Sequence, residues 1–363
     1  MLLAAWLLLG LLAGCVGPDR PGPAAMSRHT LLHDGLEREY FVFLPSSYDG
    51  RSARPVVFFM HGYGGSATGT EAETTQGLNR YADAYGYVMV YPQSTWFMSD
   101  DASGERSEIS SWNHISDAFD TGPAGPICTP DAERYPCPPE CGNCGDCGWA
   151  SCYDDVGFLK DLFERVARDL AVDPARFFVS GFSNGALMAN RIGCEAAERI
   201  AAVALIGGRV EPGFECTPSR PLPLLQVNGS ADTAVPFDGR ASDDGYFFAS
   251  TDAIVEHWTD RAECATARDA WQSQVIPAGA AECTVACAGS AQESVDCLWL
   301  GGDHRWPGTP GLFGSNGYCV SELQARSMPE QTICLKPDPA TEIWGSRLLF
   351  EFFSSRGGHA SDE

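Results

Sequence analysis

Ser183 has the surroundings that most favour chemistry, because it stands at the centre of a Gly-x-Ser-x-Gly pentapeptide, residues 181–185. The pentapeptide joins an apolar run, residues 176–180, to a helix-compatible run, residues 186–192. A serine on a sharp strand-to-helix turn projects its hydroxyl above a sheet, and the glycines beside it avoid a collision with the tight backbone. Amide N–H groups at the start of the helix would stabilise the negative charge that develops when an ester carbonyl is attacked. The context predicts a nucleophile, although the bare pattern also occurs in ordinary turns.

A nucleophilic serine needs a base, and in this type of site the acid and then the base follow the serine along the chain. Three histidines follow Ser183. His257 lies in a segment with the apolar spacing of a helix face and His359 in a polar tail, so both are predicted to be structural or solvated. His304 follows an apolar run, residues 295–300, and a glycine turn, which predicts a loop at the carboxyl end of a strand. His304 is the predicted base.

Asp232 is the predicted acid of the same site. Residues 222–227 are apolar enough for a buried strand, and Asp232 lies in the loop just beyond it. An aspartate in this place would orient the imidazole and stabilise its charged form. The alternative is a turn aspartate, since aspartate favours such loops through its local hydrogen bonds. Asp238 is the second choice for the acid.

A glycine-rich turn upstream is the predicted oxyanion hole. Residues 55–60 form a continuous apolar run of the kind that is buried on both faces of a sheet, and the run ends in His-Gly-Tyr-Gly-Gly, residues 61–65. The main-chain N–H groups of Tyr63 and Asn184 are the predicted donors, because such a turn can direct a donor to the same point as the serine turn. His61 precedes the serine, so we expect it to anchor the loop and not to catalyse.

With these motifs the chain resembles the esterase family that groups polyhydroxybutyrate depolymerase-like proteins with feruloyl and acetylxylan esterases, within the α/β-hydrolase superfamily. The matching stretches are residues 61–65, 90–93, 111–113, 154–158, 181–185, 229–236, 301–308 and 340–343. The resemblance implies Ser183 as nucleophile, Asp232 as acid and His304 as base, in agreement with their order in the chain. The residues that flank the histidine, Asp303 and Arg305, depart from the family's usual pattern.

The remaining elements fit a single sheet wound with helices. Residues 36–45 and 88–92 are further strand candidates, and residues 340–353 are predicted to form a closing helix. Another helix is predicted to begin at Asp154 and Asp155, where capping is the favoured role because acidic groups interact with the unpaired N–H groups of a helix start.

Strands that alternate with helical runs indicate an α/β fold with a largely parallel sheet. We predict one α/β-hydrolase catalytic domain over residues 26–356, interrupted by a cysteine-rich insertion at about residues 120–152 and followed by a polar tail, residues 357–363. A chain of 363 residues is ample for one large core.

The first 25 residues differ in character from the rest. Residues 2–12 are almost wholly apolar and too short to span a bilayer, which predicts a signal peptide. The following Leu-Ala-Gly-Cys resembles a bacterial lipobox, so Cys15 is predicted to be lipidated and to attach the protein to a membrane. Plain cleavage and release is the alternative. Residues 16–25, which are rich in proline and glycine, are interpreted as a short tether.

Cysteine usage predicts export and several disulfides. The chain has 15 cysteines, and setting Cys15 aside leaves an even number. Six fall in the cysteine-rich insertion: Cys128, Cys137, Cys141, Cys144, Cys147 and Cys152. The Cys-x2-Cys-x2-Cys spacing within it would also suit iron or zinc. It completes no four-ligand pattern and exported thiols oxidise, so disulfides are preferred.

Two further groups of cysteines follow the serine. The family resemblance implies a pair between Cys194 and Cys216. Four more are predicted to cross-link the region before the histidine: Cys264, Cys283, Cys287 and Cys297.

Three residues near the motifs are candidates for contact with a substrate. Trp306 follows the histidine closely and could form the floor of the site or pack in the core. Trp112 and Asn113 lead into the cysteine-rich insertion, which could form a rim or lid.

The formal net charge of −24 argues against nucleic acid and anionic surfaces as partners. The sequence predicts a secreted or lipid-anchored serine ester hydrolase that works through an acyl-enzyme and needs no metal or organic cofactor. The resemblance implies feruloyl or acetyl esters of plant cell-wall polysaccharide as substrates, with a polyester or its oligomers as the alternative. A non-catalytic surface protein that binds a ligand is the alternative from another class.

Overall fold

The computed structural model describes residues 26–74, 77–100, 106–115, 121–142, 144–145, 147, 149–260, 264, 267–309 and 343–356. The predicted signal peptide, the lipidation site Cys15, the tether and the polar tail lie outside these residues. So do His359 and residues 340–342 of the predicted closing helix.

Strands of the described residues build one large sheet and two small hairpins. In chain order they are β1 (Ser27–His33), β2 (Leu36–Phe43), β3 (Arg54–Met60), β4 (Val88–Pro92), β5 (Trp96–Asp100), β6 (Arg106–Ser110), β7 (Thr121–Gly122), β8 (Gly125–Pro126), β9 (Val172–Phe182), β10 (Ala202–Ile206), β11 (Leu224–Gly229), β12 (Asp269–Trp271), β13 (Ala281–Ala286) and β14 (Ser294–Trp299). The large sheet has the order β1-β2-β4-β3-β9-β10-β11-β14-β13-β12.

The centre of the large sheet is parallel and its two edges are antiparallel. Every neighbouring pair from β4 to β14 runs parallel, whereas β1, β2, β12 and β13 pair antiparallel with their neighbours. This arrangement confirms the predicted α/β-hydrolase fold with a mostly parallel sheet. It also brings the carboxyl ends of β9, β11 and β14 to the same edge, where parallel sheets place their sites.

Helices cover both faces of the sheet. They are α1 (Gly69–Glu73), α2 (Gly77–Tyr85), α3 (Asp155–Asp169), α4 (Asn184–Glu195), α5 (Thr251–Thr259) and α6 (Trp344–Ser354), with two short 3-10 turns, Pro139–Cys141 and Ala197–Arg199. Within the described residues, none of the helices combines the length and apolar character that a membrane crossing requires.

The central strands are apolar throughout because both of their faces are buried. In β3, Phe58 packs into the layer formed with α3, α4 and α5, while its neighbour Phe59 packs into the layer formed with α2 and α6. Alternate residues point to opposite faces, so a two-sided core needs an uninterrupted apolar run. The apolar run of residues 55–60 therefore predicted β3 correctly.

The start of α3 uses its two aspartates differently. Asp154 caps the helix, since its carboxylate accepts the N–H of Gly157 at 2.9 Å, as predicted. Asp155 is 1% exposed and instead pairs with buried Arg38 at 2.6 Å, and it also accepts the N–H of Asn113 at 2.7 Å. A buried carboxylate requires such compensation. Asp155 therefore joins the helix to β2 and to the chain that leads into the cysteine-rich insertion.

The predicted disulfides are confirmed. In the cysteine-rich insertion the pairs are Cys128–Cys147, Cys137–Cys144 and Cys141–Cys152. Elsewhere they are Cys194–Cys216, which the family resemblance implied, Cys264–Cys287 and Cys283–Cys297. The last two cross-link the region before the histidine. The three cysteines whose spacing would suit a metal, Cys141, Cys144 and Cys147, each belong to one of these disulfides.

Candidate active site

Ser183 occupies a strained turn between β9 and α4. Its backbone has φ 55° and ψ −124°, a conformation that is uncommon for a residue with a side chain. A side chain at Gly181 would collide with the carbonyl of Gly185, and one at Gly185 would collide with the carbonyl of Met60. Both glycines are therefore required by close backbone approach, which confirms the steric reason given for the pentapeptide.

Three predicted residues form a continuous hydrogen-bonded chain at the carboxyl edge of the sheet. The Oγ of Ser183 lies 2.9 Å from Nε2 of His304, and Nδ1 of His304 lies 2.8 Å from Oδ2 of Asp232. The carboxylate fixes the tautomer: Nδ1–H donates to Asp232, which leaves Nε2 to accept the hydroxyl proton of the serine. His257 belongs to α5 instead.

Asp232 is held by its own loop as well as by the histidine. Its side chain is fully buried, and Oδ1 accepts the N–H groups of Ala234 at 2.9 Å and Val235 at 2.8 Å. The other oxygen, Oδ2, is left for His304. One carboxylate thus makes the hydrogen bonds of the turn and also the contact with the imidazole that the predicted acid role requires. Asp238, the second choice, is exposed and pairs with Arg240 at 3.0 Å.

Acidic neighbours determine the protonation of His304. Burial is the strongest single influence and disfavours the charged ring, but the charge and hydrogen bond of Asp232, with the nearby charges of Asp303 and Asp244, raise the pKa of His304 above 6.5. Only the neutral ring can accept a proton from Ser183. Activity that depends on this ring should therefore be lost as the pH falls through a value above 6.5.

Replacing Asp303 by asparagine is expected to move the acidic limb of the kcat/KM profile to lower pH. The substitution removes a charge that raises the pKa of His304, and it frees the guanidinium of Arg305, which pairs with Asp303. Both changes lower the pKa of His304. The profile on p-nitrophenyl acetate, with exposed Asp243→Asn as control, measures the shift; an alkaline shift would contradict the electrostatic explanation.

The glycine-rich turn after β3 lies directly beside the serine. A Cβ on Gly62 would be 3.4 Å from the Cβ of Ser183. The N–H of Gly64 donates to a main-chain carbonyl, whereas in the described part of the chain the N–H groups of Tyr63 and Asn184 have no protein acceptor. These two donors are therefore available next to the serine hydroxyl.

His61 is buried at the base of this turn. Its Nδ1–H donates to the carbonyl of Gly62 at 2.8 Å, and its Nε2 accepts the N–H of Ser94 at 3.2 Å. Burial lowers the pKa of His61 to about 4, so the ring stays neutral over the working pH range of most enzymes. The geometry agrees with an anchoring role.

A cavity of about 590 Å³ opens beside Ser183 and His304. Its lining residues are Tyr63, Glu133, Tyr135, Trp149, Ser183, Thr233, Ala234, Val235, Ser242, Asp244, Tyr246, Phe248, Asp303 and His304. Five of these are aromatic, and their rings contact one another edge to face or tilted, with centroids 5.1 to 6.4 Å apart. The aromatic part of the wall is therefore flat, apolar and suited to an aromatic or alkyl group.

The cysteine-rich insertion supplies one side of this wall. It contributes Glu133, Tyr135 and Trp149, and the Cys128–Cys147 disulfide ties the two ends of that stretch together. Main-chain hydrogen bonds dock it on the segment of residues 242–248, among them Phe247 N–H to the carbonyl of Ile127 at 2.9 Å. The described part of the insertion thus forms one wall of the cavity.

The three predicted substrate contacts need correction, because none of them lines the cavity. Trp306 is 2% exposed and its Nε1 donates to Ser346 in the core. Trp112 is fully buried, and Asn113 is 5% exposed with its amide donating to the carbonyl of Tyr153. Residues adjacent to a site in sequence often point away from it, and here all three point into the protein interior.

Trp112 instead joins the serine turn to the glycine-rich turn through hydrogen bonds. Its Nε1 donates to the carbonyl of His61 at 3.0 Å, and its main-chain N–H donates to Oδ1 of Asn184 at 2.8 Å. The Nδ2 of Asn184 in turn donates to Nδ1 of His114, and Nε2 of His114 donates to Glu211 at 2.9 Å. The hydrogen bonds of this buried network were not predicted, because they join residues that are far apart in the sequence.

Sequence comparison finds esterases among the proteins similar to this chain. NocK of Nocardia uniformis subsp. tsuyamanensis, assigned as an esterase by inference, is 28% identical over 273 residues, which are 70% of this chain and 66% of NocK. Feruloyl esterase B of Piromyces equi is 28% identical over 209 residues, 56% of this chain and 31% of that protein. Feruloyl esterase C of Emericella nidulans is 34% identical over 93 residues, 25% of this chain and 34% of that protein. The chain thus spans at most about two thirds of these relatives.

Among solved structures, an acetyl xylan esterase from Aspergillus awamori covers 77% of this chain and 94% of its own, at 15% identity and a TM-score of 0.48. No family model matches the chain. The fold assignment rests on the strand order and the serine turn, and the sequence relatives confirm the predicted resemblance to feruloyl and related esterases.

Proposed function

We propose that this protein is a serine carboxylic-ester hydrolase that acts through an acyl-enzyme, with Ser183 as nucleophile, His304 as base and Asp232 as acid. The observation that carries the proposal is the hydrogen-bonded chain from Ser183 through His304 to Asp232, built on a strained serine turn. Such a chain is of use where a hydroxyl must be deprotonated as it attacks a carbonyl carbon.

The reaction has two halves, acylation of the serine and hydrolysis of the acyl-enzyme. In each half the imidazole of His304 takes up a proton and gives it back. His304 takes the proton of Ser183 during attack and returns it to the leaving alcohol, while Asp232 stabilises the imidazolium. Water then repeats the sequence and releases the acid. The N–H groups of Tyr63 and Asn184 are the proposed donors to the oxyanion, and one such donor typically stabilises the transition state by about 3 kcal/mol.

Feruloyl or acetyl esters of plant cell-wall polysaccharide are the proposed substrates. Two of the relatives are named feruloyl esterases. The aromatic side chains around the cavity, among them Tyr135 and Trp149, would contact an aromatic acyl group through edge and face interactions. These features favour a bulky aromatic acyl group over a short one.

We also propose that the protein works outside the cytosol, released or attached through a lipid on Cys15. Six disulfides in the described residues support this, because such a density persists only in oxidising surroundings.

Methyl ferulate is expected to be hydrolysed with a kcat/KM about 100-fold above that of methyl acetate, because the larger acyl group buries more apolar area in the cavity. Acetylated xylan, p-nitrophenyl butyrate and a polyhydroxybutyrate suspension complete the panel, with Ser183→Ala as background. Release of 3-hydroxybutyrate with no cleavage of ferulate would replace the cell-wall substrate by a polyester. Folded, oxidised protein that cleaves none of them would favour a binding protein.

A further inference from the structure

The charge of the cavity is one-sided. Three acidic residues line it, Glu133, Asp244 and Asp303, and none of the lining residues in the described part of the chain is a lysine or arginine. Asp303 is paired with Arg305. Glu133 and Asp244 form no ion pair with any basic residue in the described part of the chain. Two acidic residues without an ion-pair partner among the described residues therefore line the space in which a substrate would lie.

These two acids are held together on the same wall. The main-chain N–H of Glu133 donates to the carbonyl of Asp244 at 2.8 Å, and the hydroxyl of Tyr135 donates to Oδ2 of Asp244 at 2.7 Å. The carboxylate of Asp244 is also close enough to His304 to raise its pKa. The negative charge of Asp244 therefore acts on His304. Its electric field extends over the place where the ester must bind.

Aromatic rings surround the same acids. The ring of Tyr135 lies 5.7 Å from that of Tyr246 and 6.4 Å from that of Trp149, and all three line the cavity. The faces of tyrosine and tryptophan attract cations, most strongly where water is excluded. Rings and carboxylates in one cavity thus favour a positive group and disfavour a negative one.

We propose that Glu133 and Asp244 set the charge preference of this site, so that an ester with a quaternary ammonium or other cationic group is bound and hydrolysed better than its neutral isostere, and a carboxylate-bearing ester worse. The inference rests on the proposed ester hydrolase function and adds a substrate class to it. Glu133 and Asp244 act as specificity-determining residues; the covalent steps remain those of Ser183 and His304.

The preference should be on the order of tenfold between cation and neutral isostere, since a unit charge several ångströms from a carboxylate in a half-open cavity gains about that much. It should decrease as salt is raised from low concentration to about 0.5 M, because the cavity is open to ions. The overall charge of −24 attracts cations to any part of the surface. The test therefore needs variants that distinguish the effect of Glu133 and Asp244 from the effect of the overall charge.

Three p-nitrophenyl esters with a common three-methylene spacer provide the test: 4-(trimethylammonio)butyrate, its neutral isostere 5,5-dimethylhexanoate, and the anionic half-ester of glutarate. The expected order of kcat/KM is cation, neutral, anion. In Glu133→Gln and Asp244→Asn the ratio of cation to neutral should fall about threefold to fivefold. The asparagine oxygen can still accept from Tyr135, so the wall is kept.

Asp243→Asn is the matched control, because Asp243 is exposed, adjacent to Asp244 and absent from the cavity lining. It should leave the ratio within error. Equal falls in all three variants would assign the preference to the general field and overturn the proposal, as would a ratio near one in the unaltered protein.

A binding measurement keeps the inference testable if none of the esters is cleaved. Trp149 lies in the cavity wall, so its fluorescence can follow binding of choline, 3,3-dimethylbutan-1-ol and 3,3-dimethylbutanoate to Ser183→Ala. Tighter binding of choline that weakens in Asp244→Asn supports the charge preference even where hydrolysis fails. Cleavage of the neutral ester with equal binding of choline and the neutral alcohol would leave the hydrolase function intact and reject the charge preference.

Discussion

Ser183→Ala is expected to lower kcat on p-nitrophenyl acetate by about 10⁴- to 10⁶-fold, while the protein stays folded. The hydroxyl is the proposed nucleophile, because its Oγ lies 2.9 Å from the imidazole nitrogen that would remove its proton. Loss of the hydroxyl removes the covalent route. The residual rate of the variant comes from the oxyanion donors and from positioning of the substrate.

The fold of this variant should be preserved because the strained turn does not depend on the hydroxyl. The turn is held by main-chain contacts, among them the N–H of Ser183 to the carbonyl of Ile206 at 3.0 Å. Circular dichroism and the thermal midpoint provide the check. A variant with the native midpoint that retained more than about a tenth of the activity would assign the nucleophile to another residue.

Asp232→Asn is expected to lower kcat by about 10⁴-fold with little change in KM. An asparagine amide can donate to Nδ1 of His304, which would move the ring proton to Nε2 and leave no acceptor for the hydroxyl of Ser183. It also removes the charge that stabilises the imidazolium. The rate on p-nitrophenyl acetate above pH 8 separates this loss from a simple change in the pKa of His304.

Asp238→Asn is the matched control for the acid. Asp238 lies in the same loop region but is exposed, and its carboxylate pairs with Arg240 and not with the imidazole. Its replacement should change kcat by less than twofold. If Asp238→Asn caused the large loss and Asp232→Asn did not, the acid would have to be reassigned.

The three residues of the proposed triad could be predicted from sequence because each follows a strand that can be recognised from its apolar run. The strands β9, β11 and β14 are buried runs that end in glycine-containing turns, and the residue order Ser183, Asp232, His304 fixes which groups can meet. The structure brings the three side chains together, and their catalytic roles stay predictions. Local pattern was sufficient here because the carboxyl ends of parallel strands converge on one edge.

The cavity could not be predicted in the same way. Tyr135 and Trp149 lie in an irregular insertion whose path depends on three disulfides, and the pairing of six cysteines cannot be deduced from their spacing. Trp306 was chosen because it lies close to His304 in sequence, and Trp112 because it leads into the cysteine-rich insertion, but both side chains are buried in the core. Edge strands such as β12, with little apolar periodicity, were missed for lack of a local signal.

The nucleophile is best tested by labelling of the oxidised protein with a fluorophosphonate, followed by mass spectrometry of the peptide that carries the adduct. The predicted result is one phosphonyl group per chain, on Ser183, with labelling abolished in Ser183→Ala and strongly slowed in Asp232→Asn. An adduct on a different residue, or no adduct on folded protein that still hydrolyses p-nitrophenyl acetate, would contradict the serine hydrolase mechanism.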